Sequence, residues 1–168
     1  MRMAKAIQSQ RKLIYSKKMK IYVGADHRGY VSKQDVLNYL KSAGYDAEDV
    51  GDEQFNPEDD FPVFATKAVN KVLSSEDKDA RAILICGSGQ GMAMAANRFK
   101  GIRAGLGYDI DSAKGVRNDE DSNVLAIPAE LFKNEDKHGV FVIIEAWLNT
   151  PFAGAARYIR RNQELDNL

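Results

Sequence analysis

Cysteine is almost absent from this chain, since Cys86 is the only one among 168 residues. A single cysteine cannot form an intrachain disulfide and leaves one free thiol, which suits a reducing cytoplasm. An excess of charge of either sign is also missing, because 24 Lys and Arg residues balance 24 Asp and Glu residues. The net charge therefore provides no indication of a nucleic-acid or membrane partner.

Long apolar runs and a dinucleotide fingerprint are lacking as well. No apolar run approaches the roughly 18 residues of a membrane span. The first predicted strand is followed by Gly24-Ala25-Asp26 rather than by Gly-x-Gly-x-x-Gly, which argues against a dinucleotide-binding dehydrogenase. His27 and His138 do not cluster with the cysteine in sequence, so a metal site finds no support. No repeat, low-complexity tract or linker divides the chain, and we expect a single domain over residues 19–168.

Residues 1–18 form a basic extension without a single acidic residue. This segment has no apolar core of the kind a secretory signal needs. Met19 stands directly before the first predicted strand, so a misassigned start codon is one interpretation of the extension. A short disordered arm and an extra helical turn are the alternatives.

Residues 81–98 indicate a buried strand, a glycine loop and a helix. The strand is the apolar run Ile83-Leu84-Ile85, which ends at Cys86, and residues 87–91 (Gly-Ser-Gly-Gln-Gly) then turn the chain into an Ala- and Met-rich segment. This arrangement points backbone N–H groups and the positive end of a helix dipole at an anion, and it favours thiolate over thiol. The non-functional alternatives are that the loop is only a tight connection between strand and helix, and that Cys86 is only a small buried apolar residue.

A second candidate segment follows the first predicted strand, residues 20–24. Asp26 and His27 come at the carboxyl end of this strand, just before a helix predicted over residues 31–42. Ligands bind at that position in open α/β sheets. The alternatives are a helix-capping role for Asp26 and a solvated loop position for His27.

Strands and helices alternate along the rest of the chain. We predict further strands over residues 46–51, 101–107 and 123–127, and helices over residues 61–73, 109–118, 139–148 and from about 152. Such alternation is typical of βαβ units with right-handed crossovers. The predicted fold is therefore α/β, a three-layer Rossmann-like sandwich with a five-stranded parallel sheet and a C-terminal helix.

Residues 24–30 (Gly-Ala-Asp-His-Arg-Gly-Tyr) and 86–92 (Cys-Gly-Ser-Gly-Gln-Gly-Met) resemble the ribose-5-phosphate isomerase B family, which includes the subunits of galactose-6-phosphate isomerase. The resemblance extends from Met19 to about Arg161. It implies a cytoplasmic, cofactor-free aldose–ketose isomerase of a sugar phosphate that forms a homodimer or homotetramer. Of the reactions in this family, the one we expect is the conversion of ribose 5-phosphate to ribulose 5-phosphate through a cis-enediol.

The resemblance also implies the catalytic and oxyanion-binding residues. Cys86 would be the base that moves a proton between C1 and C2 of the sugar. Ser88 stands where the family usually has Thr, and its hydroxyl can hydrogen-bond the substrate. The backbone N–H groups that would hold the developing enediolate oxygen lie in the loop that contains Gly87, Gly89, Gln90 and Gly91.

The remaining binding residues come from both ends of the chain. Asp26 and His27 would hold sugar hydroxyls and phosphate. Arg157 and Arg161 are four residues apart on one predicted helix face and would clamp the phosphate. Without the resemblance, two such arginines would simply be solvated surface residues.

The chain departs from the family pattern in two functional segments. Residues 117–121 read Arg-Asn-Asp-Glu-Asp where the family usually has Arg-x-His-Asn-Asp. Asp119 therefore takes the place of the ring-opening His, and Glu120 that of the following Asn. After the fifth strand, Glu130 replaces a phosphate-binding Arg. These changes make the predicted pocket more acidic and remove one proton shuttle.

The departures leave several functions open. A pentose-phosphate isomerase remains one, with Asp119 or another group assisting ring opening. The substrate could instead be another sugar phosphate, such as an acyclic tetrose phosphate that needs no ring opening. The chain could also be the Cys-bearing subunit of a hetero-oligomer with a paralogous partner. The last alternative is a non-catalytic sugar-phosphate binder, because fold alone does not determine function.

Overall fold

The computed structural model describes residues 19–134 and 137–168, which form one five-stranded sheet with helices on both faces. All neighbouring strands are parallel, in the order β2-β1-β3-β5-β4. The strands are β1 (Lys20–Ala25), β2 (Asp46–Asp49), β3 (Arg81–Cys86), β4 (Ala104–Leu106) and β5 (Val124–Pro128). The predicted α/β sandwich is confirmed. Residues 1–18, and with them the predicted basic extension, lie outside the described residues.

Two layers of helices bury the two faces of the sheet. The helices are α1 (Tyr30–Ser42), α2 (Phe61–Ser74), α3 (Gln90–Ala96), α4 (Ile110–Glu120), α5 (Leu131–Asn134), α6 (Lys137–Asn149) and α7 (Ala156–Leu165). Helices α1, α4 and α6 share a core cluster with one face of the sheet, and α2 and α3 share the cluster on the other. Among the described residues, no helix has both the length and the apolar character needed to span a membrane.

Strand β3 shows how the sequence pattern creates the two cores. Successive side chains of a strand point to opposite faces. Ile83 and Ile85 accordingly belong to the core under α1, α4 and α6, whereas Leu84 and Cys86 belong to the core under α2 and α3. The thiol is therefore placed at the carboxyl edge of the sheet on the α2–α3 side.

Three differences from the sequence prediction stand out, in strand β4, in the last helix and in an additional short helix. Strand β4 is shorter than predicted: it pairs only with β5, and Gly101 at its approach adopts a left-handed φ of 81°. The last helix begins at Ala156 rather than near residue 152, because Gly154 also adopts a left-handed φ, of 63°. The short helix α5 was not predicted.

The turn after β1 packs directly on the end of β3. The N–H of Asp26 donates to the backbone oxygen of Ile85 at 3.3 Å. A Cβ built on Gly29 would lie 2.4 Å from that same oxygen. Only glycine fits this close backbone approach, which holds the turn that follows β1 beside Cys86.

We expect Gly29→Ala to destabilise the protein by about 1–3 kcal/mol, because the added methyl group overlaps backbone atoms that have no freedom to move aside. Gly115→Ala is the matched control. Gly115 lies inside α4, and a Cβ added there would meet nothing within 4 Å, so alanine should be neutral or stabilise by up to about 1 kcal/mol. Thermal unfolding followed by circular dichroism measures both variants, and equal midpoints would contradict the prediction.

Candidate active site

Cys86 lies at the point where the loops after β1, β3 and β5 meet. It is the last residue of β3, its Cα pairs with that of Pro128 in β5, and its exposed fraction is 6%. Its Sγ accepts a hydrogen bond from the backbone N–H of Gly89 at 3.2 Å. A backbone donor at this distance can stabilise negative charge on the sulfur. The structure therefore places a nearly buried nucleophilic group at the carboxyl edge of the sheet, where open α/β sheets bind ligands.

The glycine loop over residues 87–91 wraps around the sulfur. Gly89 adopts a left-handed φ of 75° and immediately precedes α3. Ser88 and Gln90 are exposed, and the Ser88 hydroxyl accepts a hydrogen bond from the Gln90 N–H at 3.4 Å. The ring of Phe61 lies over Gly91, where a Cβ would be 2.9 Å from its Cζ. Both exposed side chains are thus available to a ligand, while the glycines shape the backbone.

Asp26 and His27 reach the same edge from the loop after β1. Asp26 is buried and accepts a hydrogen bond from the Gly29 N–H at 3.0 Å. Burial raises the pKa of the Asp26 carboxyl, although the Gly29 hydrogen bond opposes the shift. The Nδ1 of His27 lies 2.6 Å from Oδ1 of Asp59.

Asp59 is a site residue that sequence reasoning missed. Its side chain is only 5% exposed, and its Oδ2 has no hydrogen-bond partner among the described residues. Residues 52–60 contain five acidic side chains, and nothing in the sequence distinguishes Asp59 from the other four. The structure singles out Asp59 as the acid that orients His27.

Arg28 and Glu130 also meet at this edge, from the loops after β1 and β5. The Arg28 Nη2 donates to Oε1 of Glu130 at 2.8 Å. The Glu130 N–H in turn donates to the backbone oxygen of Gly87 at 3.3 Å. The acid that stands in place of a family arginine is therefore paired with a guanidinium group that sequence reasoning did not consider.

The three remaining predicted residues, Asp119, Arg157 and Arg161, lie near the amino-terminal ends of the strands, on the side of the sheet opposite to Cys86. Helix α4 starts after the carboxyl end of β4 and runs back, so Asp119 in its last turn is beside the start of β5. The start of β5 lies four residues before Pro128, which pairs with Cys86, and four residues of strand span about 13 Å. Within one chain, the structure does not bring these three predicted residues to the thiol.

Helix α7, which carries both arginines, packs against the end of α4, which carries Asp119. The Asn162 side chain of α7 donates to the backbone oxygen of Asp119 at 3.4 Å, which ties α7 to the end of α4. Burial and the nearby Asp119 raise the pKa of Glu120, and the charge of Arg161 partly opposes the shift. Arg157 and Arg161 are both exposed, so their guanidinium groups are accessible to a second molecule.

The sequence of the chain matches one known protein family over most of its length. Residues 21–165 match the family described as Ribose/Galactose Isomerase. The chain belongs to this isomerase family. Membership confirms the predicted resemblance and the predicted enzyme class, an aldose–ketose isomerase of sugar phosphates.

Similar proteins and structures agree with the family assignment. Ribose-5-phosphate isomerase B of Mycobacterium tuberculosis H37Rv is 30% identical over 143 residues, which are 85% of each chain. The crystal structure of a ribose 5-phosphate isomerase from Thermotoga maritima is 36% identical, with a TM-score of 0.82 over 90% of this chain and 100% of that one. The Mycoplasma genitalium isomerase B structure with bound ribulose-5-phosphate is 30% identical, with a TM-score of 0.80 over 89% and 95%.

The raised pKa of Asp26 predicts opposite effects of Asp26→Asn on stability and on isomerase activity. The ionised carboxylate opposes folding, so this cost is absent below the ordinary Asp pKa and appears as the pH rises through the raised pKa. Asparagine keeps an acceptor for the Gly29 N–H but loses the charge. We therefore expect the variant to match or exceed wild-type stability at pH 7 and to lose about 10- to 100-fold in kcat/KM.

Urea unfolding of wild type and Asp26→Asn at pH 4 and pH 7 measures the stability part of this prediction. The stability of the variant relative to wild type should be greater at pH 7 than at pH 4. The reverse order would show that the Asp26 carboxylate stabilises the fold, in contradiction to its burial.

Proposed function

We propose that this isomerase interconverts ribose 5-phosphate and ribulose 5-phosphate, with the Cys86 thiolate as the base. The position of Cys86 is the observation that carries the proposal. Its sulfur accepts a backbone N–H bond at the edge where three loops converge. The relatives named ribose-5-phosphate isomerase B, and the neighbour with bound ribulose-5-phosphate, support the choice of substrate.

The chemistry requires the net transfer of one proton between two carbons. The Cys86 thiolate would take the proton from C2 of the open-chain aldose, which leaves an enediolate with its charge on O1. The thiol then returns the proton to C1, while the proton of O2 passes to O1 and C2 becomes the carbonyl. Backbone N–H groups of the glycine loop would stabilise the enediolate oxygen, and one such donor typically contributes about 3 kcal/mol.

The other residues at this edge would orient the sugar. His27 is held through Nδ1 by Asp59, which leaves Nε2 to bind a hydroxyl or phosphate oxygen. The exposed hydroxyl of Ser88 and the side chain of Gln90 border the same loop. Asp26 would accept a hydrogen bond from a sugar hydroxyl.

The remaining predicted residues fit this proposal only if a second copy contributes them. Asp119, Arg157 and Arg161 lie at the far edge of the sheet, and the two arginines are exposed. We therefore include a homo-oligomer in the proposal, in which one subunit supplies Cys86 and its neighbour supplies the phosphate clamp. A cytoplasmic location belongs to the same proposal, because a thiolate base must stay reduced.

A substrate that needs no ring opening is the second candidate. It is favoured by the acids at the end of α4, where Glu120 has a raised pKa and Asp119 stands in the place of the family histidine. An acyclic tetrose 4-phosphate would not depend on that histidine.

NMR of the purified chain with ribose 5-phosphate in deuterium oxide tests the proposal. We expect ribulose 5-phosphate to appear and deuterium to enter at C1 of the product and, through the reverse reaction, at C2 of the substrate. Absence of both signals would contradict the proposed reaction. Exchange with erythrose 4-phosphate alone would then establish the second candidate, and exchange with neither would favour a missing paralogous subunit or a binder.

A further inference from the structure

The guanidinium group of Arg28 lies directly over the backbone of the residue that follows the base. A Cβ built on Gly87 would lie 2.3 Å from the Arg28 Cζ and 2.5 Å from both Nε and Nη1. Gly87 is bonded to Cys86, and Cα atoms of consecutive residues are about 3.8 Å apart. A positive charge therefore lies within the reach of a short sugar phosphate whose C2 is at the thiol.

Most of the hydrogen-bonding capacity of this guanidinium group is unused. Arginine has five N–H donors in a planar fork that matches phosphate oxygens. Among the described residues, Arg28 forms one side-chain hydrogen bond, from Nη2 to Glu130. Nε and Nη1 have no partner among those residues, and the two donors together can bind a phosphate in a bidentate manner.

Stability does not explain this ion pair. The side chains of Arg28 and Glu130 are each 52% exposed, and ion pairs of such exposure typically contribute about 0–1 kcal/mol. The pair does constrain the direction of the Arg28 side chain, because the Glu130 backbone N–H donates to the Gly87 carbonyl and fixes Glu130 beside the glycine loop. Glu130 therefore holds the guanidinium group over the glycine loop rather than letting it extend into solvent.

We propose that Arg28 binds the phosphate group of the substrate and that Glu130 is its positioning residue. In this proposal the loop after β1 supplies a guanidinium group next to position 130, and its free Nε and Nη1 donors face the phosphate. This inference rests on the proposed sugar-phosphate substrate and assigns its phosphate contact.

Steady-state kinetics with ribose 5-phosphate, with inorganic phosphate as competing ligand, test the inference. We expect Arg28→Gln to raise both the KM and the inhibition constant of phosphate by at least about tenfold, with kcat changed much less. Glu130→Gln keeps an acceptor for Nη2 and removes a negative charge, so its KM should equal or fall below the wild-type value. Lys41→Gln removes one exposed positive charge from the last turn of α1, away from the site, and should change neither constant.

A charge relocation separates phosphate binding from a structural role. Because the two side chains meet at 2.8 Å, Arg28→Gln combined with Glu130→Arg returns a guanidinium group to nearly the same place. The double variant should recover most of the lost phosphate affinity. A wild-type KM in Arg28→Gln, or a rise in KM in Glu130→Gln as large as in Arg28→Gln, would overturn the inference.

Binding of inorganic phosphate, measured by calorimetry without turnover, distinguishes failure of this inference from failure of the proposed reaction. Phosphate bound more weakly by Arg28→Gln than by wild type supports the Arg28 assignment even if ribose 5-phosphate is not converted. Equal binding by the two proteins overturns it even if ribose 5-phosphate is converted rapidly.

Discussion

Cys86→Ala is expected to lower kcat for sugar-phosphate isomerisation by about 10²- to 10⁴-fold, the usual contribution of a positioned general base. No other thiol exists in the chain to replace it. The substitution removes one small group from the edge of the α2–α3 core, so its effect on stability should be limited to about 1 kcal/mol. Activity and fold are therefore separable at this residue.

Two variants sharpen the test of the base. Cys86→Ser keeps a hydroxyl of similar size in the same place but ionises far less readily than a thiol, so it should be as inactive as Cys86→Ala. Ser88→Ala removes only a neutral hydrogen bond and should cost about two- to tenfold. Deuterium exchange at C2 provides a readout independent of product release.

The order of these three activities decides the role of the thiol. Full loss in both Cys86 variants, with their thermal unfolding close to wild type and Ser88→Ala only mildly affected, supports proton transfer by the thiolate. If Cys86→Ser or Cys86→Ala kept more than about a tenth of wild-type exchange, another residue would have to be the base.

Local patterns in the sequence predicted the parallel sheet and the position of Cys86 at the end of a buried strand. The run that ends at Cys86 is buried on both faces, as a central parallel strand is, and the glycines after it favour a turn. The order of strand, loop and helix can therefore be predicted from residues that are close together in the sequence. The same holds for β1 and the turn that contains Asp26. Edge strand β4 was overestimated because its length depends on one partner strand, which the sequence does not reveal.

Contacts between loops were not predictable from the same patterns. His27 pairs with Asp59 and Arg28 pairs with Glu130 only because the loops after different strands converge at one edge. A linear motif cannot indicate which of several acids in the loop 52–60 reaches the histidine. Topology decides these partners, and topology is a property of the whole sheet.

The placement of Asp119 shows the largest limit of a linear interpretation. A residue aligned with a family site position was expected at the site. Helix α4 instead carries Asp119 about 14 Å along its axis, away from the end of β4 and toward the amino-terminal ends of the strands. Asp119, Arg157 and Arg161 can still contribute to a Cys86 site in one arrangement, in which the Cys86 belongs to another copy of the chain. Their predicted roles remain predictions for that arrangement.

Mixing two inactive variants is expected to restore activity if the site is shared between copies. Arg157→Gln combined with Arg161→Gln should lower kcat/KM by about 10²-fold or more, because two charge-assisted phosphate contacts are lost. Cys86→Ala is inactive for the separate reason given above. After unfolding and refolding together, about half of the dimers should be mixed, and each mixed dimer should hold one intact site, which gives about a quarter of wild-type activity.

The control for complementation is a mixture of Cys86→Ala with Cys86→Ser, in which every site lacks the thiol and no activity should return. Recovery in the arginine mixture but not in this control would show that Cys86 and the arginines act across a subunit boundary. No recovery, with mixed dimers demonstrated by native mass spectrometry, would contradict a shared site. The phosphate would then depend on His27 and Arg28 of the same chain, which the Arg28→Gln variant would show as a much larger rise in KM.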